Sequence, residues 1–102
     1  MIDILEQNRQ AIAEACANHG VARLDVFGSA VRDDFRPDAS DIDLLVEFVP
    51  MDTYARVEAY FGMLDDLRRL LGTRVDLVMV GAVRNPYIAR DIERTRRALY
   101  AA

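Results

Sequence analysis

Residues 41–49, Asp-Ile-Asp-Leu-Leu-Val-Glu-Phe-Val, constrain the fold more than any other segment. After its first three residues the run is nearly continuously apolar, the pattern of a strand buried on both faces, which belongs in the centre of a sheet. Side chains alternate along a strand, so Asp41 and Asp43 are expected on one side, with Ile42, Leu44 and Val46 on the other. Two adjacent carboxylates repel, and holding them together costs folding energy unless a cation or a donor lies between them.

The flanking segments supply the rest of a sheet. Val21 to Phe27 reads as a strand that ends at a Gly28-Ser29 turn, and Arg74 to Val80 reads as a third strand in which Val75, Leu77 and Met79 alternate with Asp76, Val78 and Val80. Three helices are predicted. The first runs from about Ile4 to His19, with Asp3 and Glu6 as a capping box and Gly20 as a left-handed stop. The second covers Thr53 to Leu71, with Val57, Phe61, Leu64, Leu67, Leu70 and Leu71 as its core stripe and Gly72 closing it. The third begins at an Asn85 cap with Pro86 in its first turn, and continues to about Tyr100 on rows formed by Ile88, Ile92, Arg96 and Leu99. A short helical turn is expected from Ser29 through Asp34, followed by a loop over residues 35–40. This order implies an α+β (α/β sandwich) domain, a small mixed sheet covered by helices on one side. If the middle helix crosses back over the sheet, Asp76 lies beside the Asp41 strand at similar depth.

The 102 residues are enough for one core and too few for two, so residues 1–102 are expected to form a single domain. An excess of 17 acidic over 13 basic residues argues against a general nucleic-acid binder and in favour of a nucleotide or a protein as partner. Cys16 is the sole cysteine, which rules out an intramolecular disulfide, and its position reads as a buried small hydrophobe. No apolar run has the length of a membrane span and the N-terminus does not look like a signal peptide, so a cytoplasmic protein is expected.

Three carboxylates around a shared space, Asp41, Asp43 and Asp76, are poorly explained by stability, and a divalent cation removes the conflict. Mg²⁺ takes oxygen ligands and favours one or two carboxylates completed by substrate phosphates. Two such ions could be bridged here, with Asp76 as ligand and base toward an attacking hydroxyl. Gly28 permits close backbone approach to a phosphate, and Ser29, heading a helical turn, adds a hydroxyl and amides. Simpler readings stand beside these: a solvated strand start for Asp41 and Asp43, an edge-strand charge paired with Arg74 or another arginine for Asp76, and a plain tight turn for Gly28-Ser29. Arg32 suits a phosphate and a salt bridge with Asp33 or Asp34 equally well. The cluster Arg90, Arg94, Arg96 and Arg97, interleaved with Asp91 and Glu93, reads mostly as a solvated helix face, and His19 as a helix-end residue facing the last carbonyls.

Gly28-Ser29, an eleven-residue spacer and then Asp41-Ile42-Asp43-Leu44-Leu45-Val46 resemble the signature of the DNA polymerase β-like nucleotidyltransferases, and more narrowly of the minimal nucleotidyltransferases. The Ser-Asp-Ile-Asp-Leu-Leu-Val wording at residues 40–46 and a third aspartate at Asp76 extend that resemblance over nearly the whole chain. It implies the polymerase β-like fold, ATP as substrate, two Mg²⁺ ions, and transfer of AMP to a hydroxyl with release of pyrophosphate. It further implies an antitoxin that adenylylates a tyrosine of a helical HEPN-domain toxin, a ribonuclease. Asp41, Asp43 and Asp76 would be the catalytic and metal-binding residues, and Gly28, Ser29 and Arg32 the nucleotide-binding ones. A module that neutralises the toxin by binding alone, and a small-molecule nucleotidyltransferase, are the alternatives. One position departs from the pattern: Asp33 stands where the family often has glycine.

Overall fold

The computed structural model describes residues 1–32 and 34–102, so the departure at Asp33 lies outside the described residues. Helices α1 (Asp3–Gln7) and α2 (Arg9–Asn18) lead into strand β1 (Val21–Phe27) and a single 3₁₀ turn, Gly28–Ala30. Strand β2 (Ile42–Phe48), helix α3 (Thr53–Leu71), strand β3 (Val75–Met79), helix α4 (Pro86–Thr95) and strand β4 (Arg97–Ala101) follow. The sheet order is β3-β2-β1-β4, so the apolar β2 is central as expected. Strands β2 and β3 are parallel and are joined by α3, the helical crossover that a parallel pair requires, while β1 runs antiparallel to both β2 and β4.

Alternation along the strands divides the interior in two. Leu24, Val26, Ile42, Leu44, Val46, Val75 and Leu77 face the main core, which α1, α2 and α3 fill with Leu5, Ile12, Cys16, Met63 and Leu67. Phe27 and Leu45, one position out of phase, face a smaller cluster closed by Ile92 of α4. The mixed sheet with its helical layer is thus as expected, and α4 adds cover on the second face. Burial pushes the Cys16 thiol up to about 12, which makes it an inert core group.

Several local expectations are corrected. Asp3 is the first helical residue, behind an Ile2 cap with no side-chain bond, so there is no capping box. The first helix is broken at Asn8, whose own amide donates to the Ile4 carbonyl (2.8 Å) and so competes with the backbone ladder. In α3 Leu64, Leu67 and Leu71 are buried as expected, but Ala59 and Met63 complete the stripe and Val57 and Phe61 are left exposed. The last helix stops at Thr95 and the chain becomes β4, because β1 offers a free edge to residues 97–101. Three boundaries stand where the sequence puts them. Asn85 accepts from the Tyr87 amide with Pro86 at the first position, and Gly72 ends α3 in the left-handed region, as Gly20 does after α2. His19 does not turn to the carbonyls; its ring pairs with Asp66 of α3 (2.7 Å) over Gly62, where a Cβ would lie 2.6 Å from the imidazole Cε1.

Candidate active site

Asp43 sits second in β2 on the α4 side of the sheet, flanked in register by Phe27 of β1 and Asp76 of β3. The parallel β2–β3 pairing thus brings two of the three carboxylates together from positions 33 residues apart in sequence. Asp43 is half-buried and Asp76 exposed. Burial, then the charges of Asp76, Asp41 and Asp91, push the Asp43 carboxyl up from 3.8 to about 6, and Arg32 offsets only part of the rise.

The third carboxylate is placed differently. Asp41 precedes the strand and turns to Arg74, whose Nε donates to its Oδ1 at 2.6 Å. Among the described residues no three carboxylate, imidazole or thiol groups are gathered closely enough to hold a metal ion in this conformation. The Asp41–Arg74 pair is roughly half exposed on both sides, 48% and 58%, and such surface pairs are worth about 1 kcal/mol or less, so releasing Asp41 costs little. The donors are all carboxylate oxygens, and Asp43 is crowded by like charge. That chemistry fits a hard divalent cation whose shell a phosphate would complete.

Gly28 is buried at the end of β1 with φ +75°. A Cβ there would meet the Asp43 Oδ2 at 2.8 Å, so only glycine lets the chain turn against that carboxylate, and the Asp91 Oδ2 would stand at ordinary contact distance, 3.5 Å. The helical turn expected from Ser29 to Asp34 is instead the three-residue 3₁₀ turn Gly28–Ala30, too short to give Ser29 a helix-terminus field for anions. The Gly28 N–H is engaged as well: it donates to the Thr95 hydroxyl (2.8 Å), which in turn donates to the Asp91 carbonyl (2.7 Å).

Arg32 pairs with Asp34 (3.2 Å) and, more closely, with Asp91 of α4 (2.6 Å). Asp91 and Arg96, both read from the sequence as parts of a solvated face, have specific partners. Arg96 reaches the fully buried Asp25 of β1 through two nitrogens, at 2.9 and 2.6 Å, and Arg23 adds a third contact at 3.0 Å. That network fixes the end of α4 against β1, while Ile92 seats its middle, so Asp91 is held over the Gly28 turn. An aspartate between two apolar residues in the middle of a strand, two positions from Arg23, is the available signal for Asp25. Asp91 carries no comparable signal, because its placement depends on how α4 packs.

Residues 9–99 match the family model described as nucleotidyltransferase domain. A protein of Methanocaldococcus jannaschii provisionally named a protein adenylyltransferase is 40% identical over 91 residues, covering 89% of this chain and 86% of its own. A solved structure of a provisionally assigned minimal nucleotidyltransferase superposes with a TM-score of 0.75 at 34% identity, over 93% of this chain and 92% of its own. A toxin-antitoxin crystal structure with AMP-PNP shares the fold at a TM-score of 0.67 and 21% identity, over 93% of this chain and 74% of its own.

Proposed function

This chain belongs to the nucleotidyltransferase domain family, among its minimal nucleotidyltransferases, and from that premise we propose that it is a Mg²⁺-dependent protein adenylyltransferase that acts as an antitoxin. Its donor would be ATP, its acceptor a tyrosine hydroxyl of a HEPN-domain toxin, and its setting the cytoplasm. The observation that carries the reading is the Asp43–Asp76 register pair against the Gly28 turn, a concentration of negative charge that the fold's stability does not call for. The name of the M. jannaschii relative supports protein as the acceptor class, and the toxin-antitoxin complex of the same fold supports a toxin as partner and an adenine nucleotide as ligand.

In this proposal Asp41, Asp43 and Asp76 would hold two Mg²⁺ ions, which when bound neutralise the triphosphate and make the acceptor hydroxyl more acidic. Gly28 keeps the backbone close to the phosphates, Ser29 offers its hydroxyl and amide, and Arg32 supplies a guanidinium fork. Asp76, exposed at the mouth of the site, accepts the acceptor's proton at a carboxylate oxygen. The bond from the acceptor oxygen to the α-phosphorus forms as the bond from that phosphorus to pyrophosphate breaks. Among the described residues no helix is long and apolar enough to cross a membrane.

The test is to incubate the protein with α-labelled ATP, Mg²⁺ and the product of the neighbouring gene, which this proposal requires to be a HEPN-domain protein. Label on a tyrosine of that partner is expected, lost with Asp41→Ala, Asp43→Ala or Asp76→Ala. Labelling by the variants at the wild-type rate sinks the proposal. One observation favours a second reading, a module that neutralises the toxin by binding alone: Asp41 and Arg32 are both occupied by ion pairs within the chain. On that reading an Asp41→Ala, Asp43→Ala double variant still protects cells from the toxin.

A further inference from the structure

We propose that Asp91 is a positioning residue whose carboxylate holds the Arg32 guanidinium in place of a nucleotide phosphate, so that only a ligand able to displace it can bind. The inference rests on the reading of Arg32 as a phosphate ligand and goes beyond it by assigning a gate on nucleotide affinity to α4.

The geometry supports this at three points. The 2.6 Å contact between Arg32 Nη1 and Asp91 Oδ1 is the kind of charge-assisted bond that a guanidinium forms with carboxylate or phosphate alike. The other oxygen of the same carboxylate, Oδ2, lies 3.5 Å from the point where a Gly28 Cβ would stand, so Asp91 overhangs the turn read as the phosphate cradle. Its position is also fixed: Ile92 is buried beside it, the Thr95 hydroxyl ties its helix to the Gly28 amide, and Arg96 ties the helix end to the buried Asp25. A carboxylate held this firmly next to Asp43 is placed against its own electrostatic interest, and the pairing with Arg32 is the compensation. The selectivity follows from charge. A metal-loaded triphosphate offers Arg32 several oxygens and displaces the carboxylate, whereas a monophosphate competes poorly, and departure of pyrophosphate lets Asp91 return to Arg32.

Calorimetric titration of the full chain with Mg²⁺ and AMP-PNP at low salt tests the gate. Asp91→Asn is expected to bind roughly fivefold tighter than wild type, the scale set by losing one exposed ion pair that the ligand must break. Asp91→Glu should return toward the wild-type affinity, and in an Arg32→Ala background Asp91→Asn should bring no gain. The substitution leaves the Asp91 carbonyl that Thr95 uses, and thermal melts verify that each variant folds. Unchanged or weaker binding by Asp91→Asn overturns the gate, as does a gain that persists without Arg32. Absence of binding by every form also overturns it. Transfer of labelled AMP by the wild type is scored separately: binding that follows the expected pattern without transfer refutes the adenylyltransferase reading and leaves the gate standing.

Discussion

Replacing Asp43 by asparagine should make the metal-free protein more stable while removing its activity. The folded environment pushes this carboxyl from 3.8 to about 6, chiefly by burial and then by Asp76, Asp41 and Asp91. The proton is therefore bound more tightly in the folded than in the unfolded chain. The resulting stability is fully present below about pH 4 and is lost as pH rises through about 6. At pH 7.5 Asp43 is ionised in both states, and the folded state carries the cost. A rise from 3.8 to about 6 corresponds to about 3 kcal/mol at full weight. Because the side chain is only half-buried, solvent screening reduces this to roughly 1–2 kcal/mol. For a domain of this size that is a rise in Tm of roughly 5–10 °C for the asparagine variant.

Thermal melts by circular dichroism in EDTA at pH 7.5 and at pH 4 measure this directly. The gain is expected at pH 7.5 and should vanish at pH 4, where the wild-type carboxyl is protonated. Added Mg²⁺ with AMP-PNP should then raise the wild-type Tm and leave the variant unmoved. An asparagine variant no more stable than wild type at pH 7.5, or equally stabilised at both pH values, would refute the account of Asp43 as a site held at the expense of the fold.

Other perturbations probe the scaffold around the site. Gly28→Ala forces a Cβ to within 2.8 Å of the Asp43 Oδ2 at φ +75°, and should cost roughly 2 kcal/mol in a denaturant melt. Gly62→Ala should fail to deliver the roughly 1 kcal/mol that helix propensity promises, because the new methyl meets the His19 ring; in a His19→Ala background the same change should stabilise. Arg96→Ala strips the buried Asp25 of its principal partner and should cost roughly 3 kcal/mol by chemical denaturation. The hydrogen bond from His19 holds Asp66 below the usual carboxylate range, so its contribution is present above about pH 4 and lost as pH falls below that. Asp66→Asn should accordingly lower Tm at pH 7, by an amount that shrinks as the pH is taken below about 4.

What the sequence reveals and what it hides both follow from the range of the interactions involved. The β2 strand, the Gly28 turn and the Asp43–Asp76 neighbourhood are legible because alternation, glycine and a helical crossover are local rules, and each permits few outcomes. Strand β4 is not legible: residues 97–101 contain two alanines and a leucine, good helix formers, and become a strand only because β1 presents an unpaired edge. The α3 stripe is legible at Leu64, Leu67 and Leu71 but not in its first half, since its apolar residues span more of the helix than the core can cover, and packing decides that Met63 goes in and Phe61 stays out. The site divides along the same line. Which carboxylates lie on which strand can be read from residue order, but which cations they meet depends on side chains arriving from elsewhere: Arg74 takes Asp41, and Asp91 takes Arg32. Both pairs are solvent-accessible and worth about 1 kcal/mol or less, weak enough for a metal-bound triphosphate to break. The buried Asp25–Arg96 pair, which holds α4 in place, is not so easily broken. A scaffold anchored by strong contacts, with the proposed ligands restrained only by weak ones, is what a site that must rearrange around its substrate without moving its backbone would require.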